Sequence, residues 1–173
     1  MKTTPENTTE TRSVAAERVQ TRVMELRGLV REDNSISGIA VPYRRSSVVL
    51  NDRARPYRES FQRGSLEVGE NVALYVQHDH TSLPLARTGA GTLQFEETEE
   101  GLRFVATLPE SRTDVAEAIT RGDIGGVSIG FIAEDAKWEH RKDGMPSTRV
   151  VTRARLLECS LVAAGAYPDA ILD

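Results

Sequence analysis

One cysteine, Cys159, stands among the 173 residues, so neither an intrachain disulfide nor a cysteine-based zinc cluster can form. Such usage fits a reducing, cytosolic-type compartment. Long hydrophobic runs are also missing. No apolar stretch approaches the roughly 20 residues that span a bilayer, and the first residues lack the hydrophobic segment of a secretory signal, so no membrane partner is expected. Nor is there a basic surplus: 22 Lys and Arg face 26 Asp and Glu, and the formal charge of −4 argues against a general nucleic-acid binder. A hydrophobic content of 39 % suffices for one core and leaves room for a polar tail.

What is there begins with a polar arm. Residues 1–21 hold almost no large apolar residue before Val14 and read as disordered, with the folded domain expected over 22–173. Residues 22–30 read as a strand with a glycine irregularity, residues 36–43 as its antiparallel partner, and residues 46–50 as a short third strand before a loop at 51–56. Residues 57–66 read as a helical turn that ends at Gly64. In residues 72–78, Val72, Leu74, Val76 and His78 fall at period two, which predicts that His78 continues an apolar face.

Residues 93–95 and 101–108 predict a hairpin around a solvated acidic loop. Residues 113–122 predict a helix, with Thr113 as N-cap, acids in the first turn, Arg121 in the last and Gly122 just beyond. A strand through about Trp138, a turn at 141–144, a return over 148–154 and a nearly continuous apolar strand over 156–162 complete the pattern. Arg149, Arg153 and Arg155 share a face of the return strand and are expected to be offset by Glu134, Asp135 and Glu139.

Three polar residues interrupt otherwise apolar or glycine-lined strands. Ser128 shares a face with Gly130, while Val127, Ile129 and Phe131 occupy the other, so a small hydroxyl is displayed beside backbone that carries no side chain. His78 ends its apolar run, and Glu158 sits within Leu157-Glu158-Cys159-Ser160-Leu161, where a bare carboxylate costs several kcal/mol and must therefore be paired. A serine needs an imidazole to accept its proton, and the imidazole needs an acceptor on its other nitrogen. Read from periodicity alone, the three are either such a triad or unrelated buried polar residues.

Tyr75-Val76-Gln77-His78-Asp79-His80, Gly126-Val127-Ser128-Ile129-Gly130-Phe131 and Leu157-Glu158-Cys159-Ser160-Leu161-Val162 with Tyr167-Pro168-Asp169-Ala170, together with residues 58–66, occur in order from about Val23 to Asp173. In this the chain resembles the prohead maturation proteases of tailed bacteriophages, distant relatives of the herpesvirus assemblins. The resemblance implies a mainly β protein, an assemblin-like antiparallel β-barrel with a few peripheral helices. It also implies a serine endopeptidase that needs no cofactor, trims capsid or scaffold protein and itself inside the immature shell in the bacterial host cytoplasm, and forms a homodimer. Ser128 matches the nucleophile and His78 the general base. Glu158 stands where the assemblins have a second histidine, a departure that is chemically sound because a carboxylate also orients an imidazole. The assemblin arginine near the oxyanion has no counterpart in Ala163-Ala164-Gly165, which leaves backbone N–H groups near Gly130 or Gly165 as candidates.

Other readings compete. His78 and His80 could ligate a metal with Asp123, His140 or Glu158, as a metal-dependent hydrolase would. A non-catalytic capsid-assembly or scaffold domain predicts that Ser128→Ala changes nothing. Smaller expectations place His80 in a loop beside the site, His140 exposed on a hairpin, Asp79 as a turn former, Cys159 in the core, and Ser160 on the Glu158 face as a weaker nucleophile.

Overall fold

The computed structural model describes residues 18–25, 27–32, 34–43, 45, 49–52, 55–140 and 144–163. Most of the expected arm, residues 46–48, the turn at 141–143 and the tail from 164, with Gly165, lie outside the described residues. The chain runs through β1 (Gln20–Glu25), β2 (Arg27–Glu32), β3 (Ser35–Pro42), β4 (Leu50–Asp52), β5 (Arg55–Phe61), β6 (Leu66–Val76), β7 (Ala86–Arg87), β8 (Leu93–Glu97), β9 (Gly101–Thr107), α1 (Thr113–Arg121), β10 (Ile124–Glu139) and β11 (Ser147–Ala163). The mainly β class is as expected. A 3-10 turn at Thr88–Ala90 and α1 are the helical elements among the described residues.

The sheets do not close into a barrel. Seven strands form one open sheet around β10 and β11, and β2-β3-β9-β8 form a second. Nor is the first sheet antiparallel throughout, because β11 lies parallel to both β5 and β6. These two strands act as one interrupted ribbon along β11. At the interruption Gln62 N–H donates to Val151 O and Ser65 O accepts from Ala154 N–H, with Gly64 at φ +72° making the kink. Residues 57–66 are therefore strand, turn and strand, where a helical turn was expected.

Two further boundaries differ from expectation. The single strand expected over 22–30 is two strands in different sheets, since β1 pairs with β10 and β2 with β3. The glycine irregularity is present, as a register shift between Arg27 and Val30. β1 starts at Gln20, whose side-chain oxygen accepts from Arg149, so Gln20 and Thr21, read as part of the arm, lie in a strand.

The helix matches its sequence pattern at the C-terminal end, where Gly122 adopts φ +81° and its N–H reaches Ala118 O and Ile119 O. At the other end Arg112, not Thr113, is the N-cap, without a side-chain cap bond. Its guanidinium instead grips Asp114 at 2.9 and 3.0 Å. One core joins the two sheets: Val127, Ile129, Phe131, Cys159, Leu161 and Leu74 from the first meet Ile36, Leu93, Leu102 and Phe104 from the second. Phe61 and Phe131 meet edge to face at 5.2 Å.

Charge is buried at one end of the first sheet. Glu59 is 2 % exposed and lies 2.7 Å from Arg22 and 2.9 Å from Arg149, so Arg149 is neutralised there and not by Glu139. Arg153 and Arg155 pair with Glu134, and Arg153 also with Asp135, as expected.

Candidate active site

β10 and β11 bring the serine and the carboxylate onto one face. Ser128 stands opposite Ser160 and Gly130 opposite Glu158 in the antiparallel ladder, which makes Ser128 and Glu158 diagonal neighbours, about 7–8 Å apart at the backbone. A bulge sets this face. Both neighbours of β11 shift register at Leu157, which puts Leu156 and Cys159 in the core although they are three apart. Without that extra residue Glu158 would follow Leu156 into the core; with it, the carboxylate is aimed away.

His78 arrives by a different route from the one its spacing predicts. Regular pairing ends where Gln77 N–H donates to Leu161 O, and β6 stops at Val76. Gln77 and His78 then take φ +53° and +57°, left-handed geometry that costs non-glycine residues on the order of 1–3 kcal/mol each. In a regular strand His78 would follow Val72 and Leu74 toward the core. The left-handed turn swings it to Glu158, whose Oε1 lies 2.6 Å from His78 Nδ1.

The loop beyond is held by Asp79, whose carboxylate accepts from the N–H and hydroxyl of Thr81 and from the hydroxyl of Ser82. Those hydroxyls keep the Asp79 carboxyl down at about 2. Asp79 is thus the expected turn former.

Glu158 is fully engaged. Besides His78, its Oε2 lies 3.2 Å from His80 Nε2 and accepts a 3.3 Å hydrogen bond from Ser160 Oγ. Ser160 therefore spends its proton on the carboxylate. His80 lies in the loop beside the site, its ring 4.8 Å from that of Tyr75. Asp123 pairs instead with Arg121, and His140 meets Ser147 on its exposed hairpin, so neither joins the cluster. Cys159 is core, its thiol pushed up to about 12 by burial and then by the Glu158 charge.

Ser128 is placed on the right face but not connected. Its Oγ is buried and makes no hydrogen bond among the described residues. A buried hydroxyl without a partner costs about 1–3 kcal/mol; Ser65 Oγ shares that state, and what distinguishes Ser128 is its place on the sheet face of Glu158. Gly130 has a definite steric duty. A Cβ there would lie 2.6 Å from Glu158 Cγ, so the glycine clears space for the carboxylate. Beside the histidine turn a cleft of about 270 Å³ is lined by Tyr75, Gln77, Asp79, Leu83, Leu85 and Arg112. Sequence reasoning missed this cleft because Leu83 and Leu85 sit in a loop without periodicity.

A carboxylate can only accept, so in the neutral imidazole of His78 the proton between them belongs to Nδ1 and Nε2 carries the lone pair. A histidine with a carboxylate behind it, and a serine on the same sheet face as that carboxylate, are the residue types that a serine-type hydrolase uses. The chain belongs to the caudovirus prohead serine protease family, whose sequence model matches residues 19–173. No curated protein and no solved structure matches it.

Proposed function

We propose that this chain is a serine endopeptidase of the phage prohead, with Ser128 as nucleophile, His78 as general base and Glu158 as the residue that orients the base. The observation that carries the assignment is the buried, unpartnered hydroxyl of Ser128 on the sheet face of the Glu158 carboxylate that holds His78. Family membership supports the reaction class.

In this reading, closure of the remaining gap lets His78 Nε2 take the Ser128 proton as Oγ attacks the scissile carbonyl. The imidazolium formed is stabilised by Glu158 and then protonates the leaving amine. Backbone N–H groups near Gly130 are the oxyanion donors we assign among the described residues. The cleft beside the histidine turn, with an apolar wall from Leu83 and Leu85 and the Asp114-paired guanidinium of Arg112, is assigned to a substrate side chain.

Capsid or scaffold polypeptides, and the N-terminal arm of the chain itself, are the substrates proposed. Co-expression of the chain with its capsid protein, and separately of Ser128→Ala, followed by intact mass of every product, tests this. Cleavage by wild type alone supports the assignment. Equal cleavage by Ser128→Ala would falsify it.

A further inference from the structure

His78, His80 and Glu158 each offer a ligand atom, and the three atoms lie within 4.8 Å of one another. Two imidazoles and one carboxylate form a donor set that suits zinc-class divalent cations and leaves a fourth position open. One of the spacings is already what such an ion needs, while the widest, up to 4.8 Å, must close by as much as about 1.5 Å through side-chain rotation. His80 Nε2 and Glu158 Oε2 are 3.2 Å apart, near the roughly 3.3 Å edge of a tetrahedron with bonds of about 2.0–2.1 Å. His78 Nδ1 approaches the other oxygen, Oε1, at 2.6 Å, so the one carboxylate oxygen that serves as ligand must shift relative to one of the two imidazoles. An approach path exists, since the His80 side chain is 58 % exposed and that of His78 30 %.

We propose that this cluster binds a zinc-class divalent cation and that the bound ion silences the triad. The binding half stands on the donor geometry alone; the silencing half rests on the peptidase reading above. A metal bound through His78 Nδ1 takes the lone pair of the nitrogen that now carries the proton. The ring's one proton must then reside on Nε2, with no net gain or loss, and an Nε2 that bears a proton cannot accept one from Ser128. Glu158 is at the same time drawn onto the metal and lost as orienter. The ion thus competes for the hydrogen bond that makes the histidine a base.

Metal-stripped full-length chain titrated with Co²⁺, read by the visible bands of four-coordinate cobalt with Zn²⁺ as competitor, tests the site. One cobalt per chain, displaced by zinc and bound at least about tenfold more weakly by His80→Gln, is expected. No binding, or binding that His80→Gln and Glu158→Gln both leave unchanged, overturns it. Silencing is read without cleavage from the nitrogen NMR shifts of His78: zinc is expected to convert Nε2 from bare to protonated, and an Nε2 that stays bare in the zinc complex overturns it. With substrate, zinc is expected to suppress cleavage and a chelator to restore it. Zinc-dependent cleavage that survives Ser128→Ala overturns silencing and the serine assignment together. Cleavage absent with and without metal counts against the peptidase reading alone, while the cobalt and NMR results still decide the site.

Discussion

Gly130 faces Glu158 across the β10–β11 ladder, and the place where its Cβ would sit is taken by the glutamate's own methylene. The carboxylate that holds His78 thus depends on a missing side chain one strand away.

Gly130→Ala is expected to push Glu158 off His78. Because overpacking into a tight interior costs about 1–3 kcal/mol, urea melts should show that loss, and the downfield Nδ1 proton of His78 should disappear from the NMR spectrum. A retained Nδ1 resonance with wild-type stability would mean that Glu158 has somewhere else to go.

Ser128→Ala should separate activity from stability. It removes the proposed nucleophile and also a buried hydroxyl that has no partner, so cleavage should vanish while the protein gains about 1 kcal/mol. A variant less stable than wild type would show that Oγ has a partner in solution.

Glu158→Gln keeps the size of the side chain but offers an amide N–H where His78 needs an acceptor. In a related triad the equivalent exchange lowers the rate about 10⁴-fold through the wrong tautomer. A kcat loss of that order with KM nearly unchanged is the expected result, measured on a peptide spanning the cleaved bond. A loss below about tenfold would remove Glu158 from the role of orienter.

Glu59→Ala should be the most disruptive of these substitutions. It leaves Arg22 and Arg149, 17 % and 10 % exposed at their side chains, without the carboxylate between them, and breaking a buried pair from one side costs about 3–5 kcal/mol. Chemical denaturation reads the cost directly, and a change under 1 kcal/mol would show that water reaches the guanidinium groups.

Cys159 gives a pH dependence with a fixed sign. Its thiol is raised from an ordinary value of 9.0 to about 12 in the folded chain, so the folded state holds the proton more tightly than the unfolded one. Its contribution is fully present below pH 9 and is lost as pH rises toward 12. Thiol reagents should therefore leave the native protein untouched at pH 8 and label one thiol per chain after denaturation. Labelling of the native protein at pH 8 would contradict the burial.

Where the sequence was legible, local chemistry decided the outcome. Gly122 could only end a helix, the β8–β9 hairpin alternates cleanly about its acidic loop, and Cys159 has core parity. The failures share a cause, namely contacts with distant partners. β5 buries Glu59 between Tyr57 and Phe61, so its period-two pattern is disguised by an inward carboxylate whose two arginines lie 37 and 90 residues away. The contact of His78 with Glu158 comes from the left-handed turn at Gln77, which is invisible to alternation. The bulge at Leu157 leaves no residue-type signature either. It depends on both neighbours of β11 shifting register together.

β11 also governs when the site can exist. His78 is positioned by the parallel pairing of β6 with β11, which joins Ala73 to Glu158, and Ser128 by the antiparallel pairing with β10. Parallel pairing across so long a stretch of chain closes a large loop before it is rewarded, and is slow for that reason. A nascent chain that has not yet produced β11 holds the serine and the histidine on separate, unjoined strands. On the proposed reading, translation itself therefore acts as a timer, because the triad cannot assemble until that strand has docked.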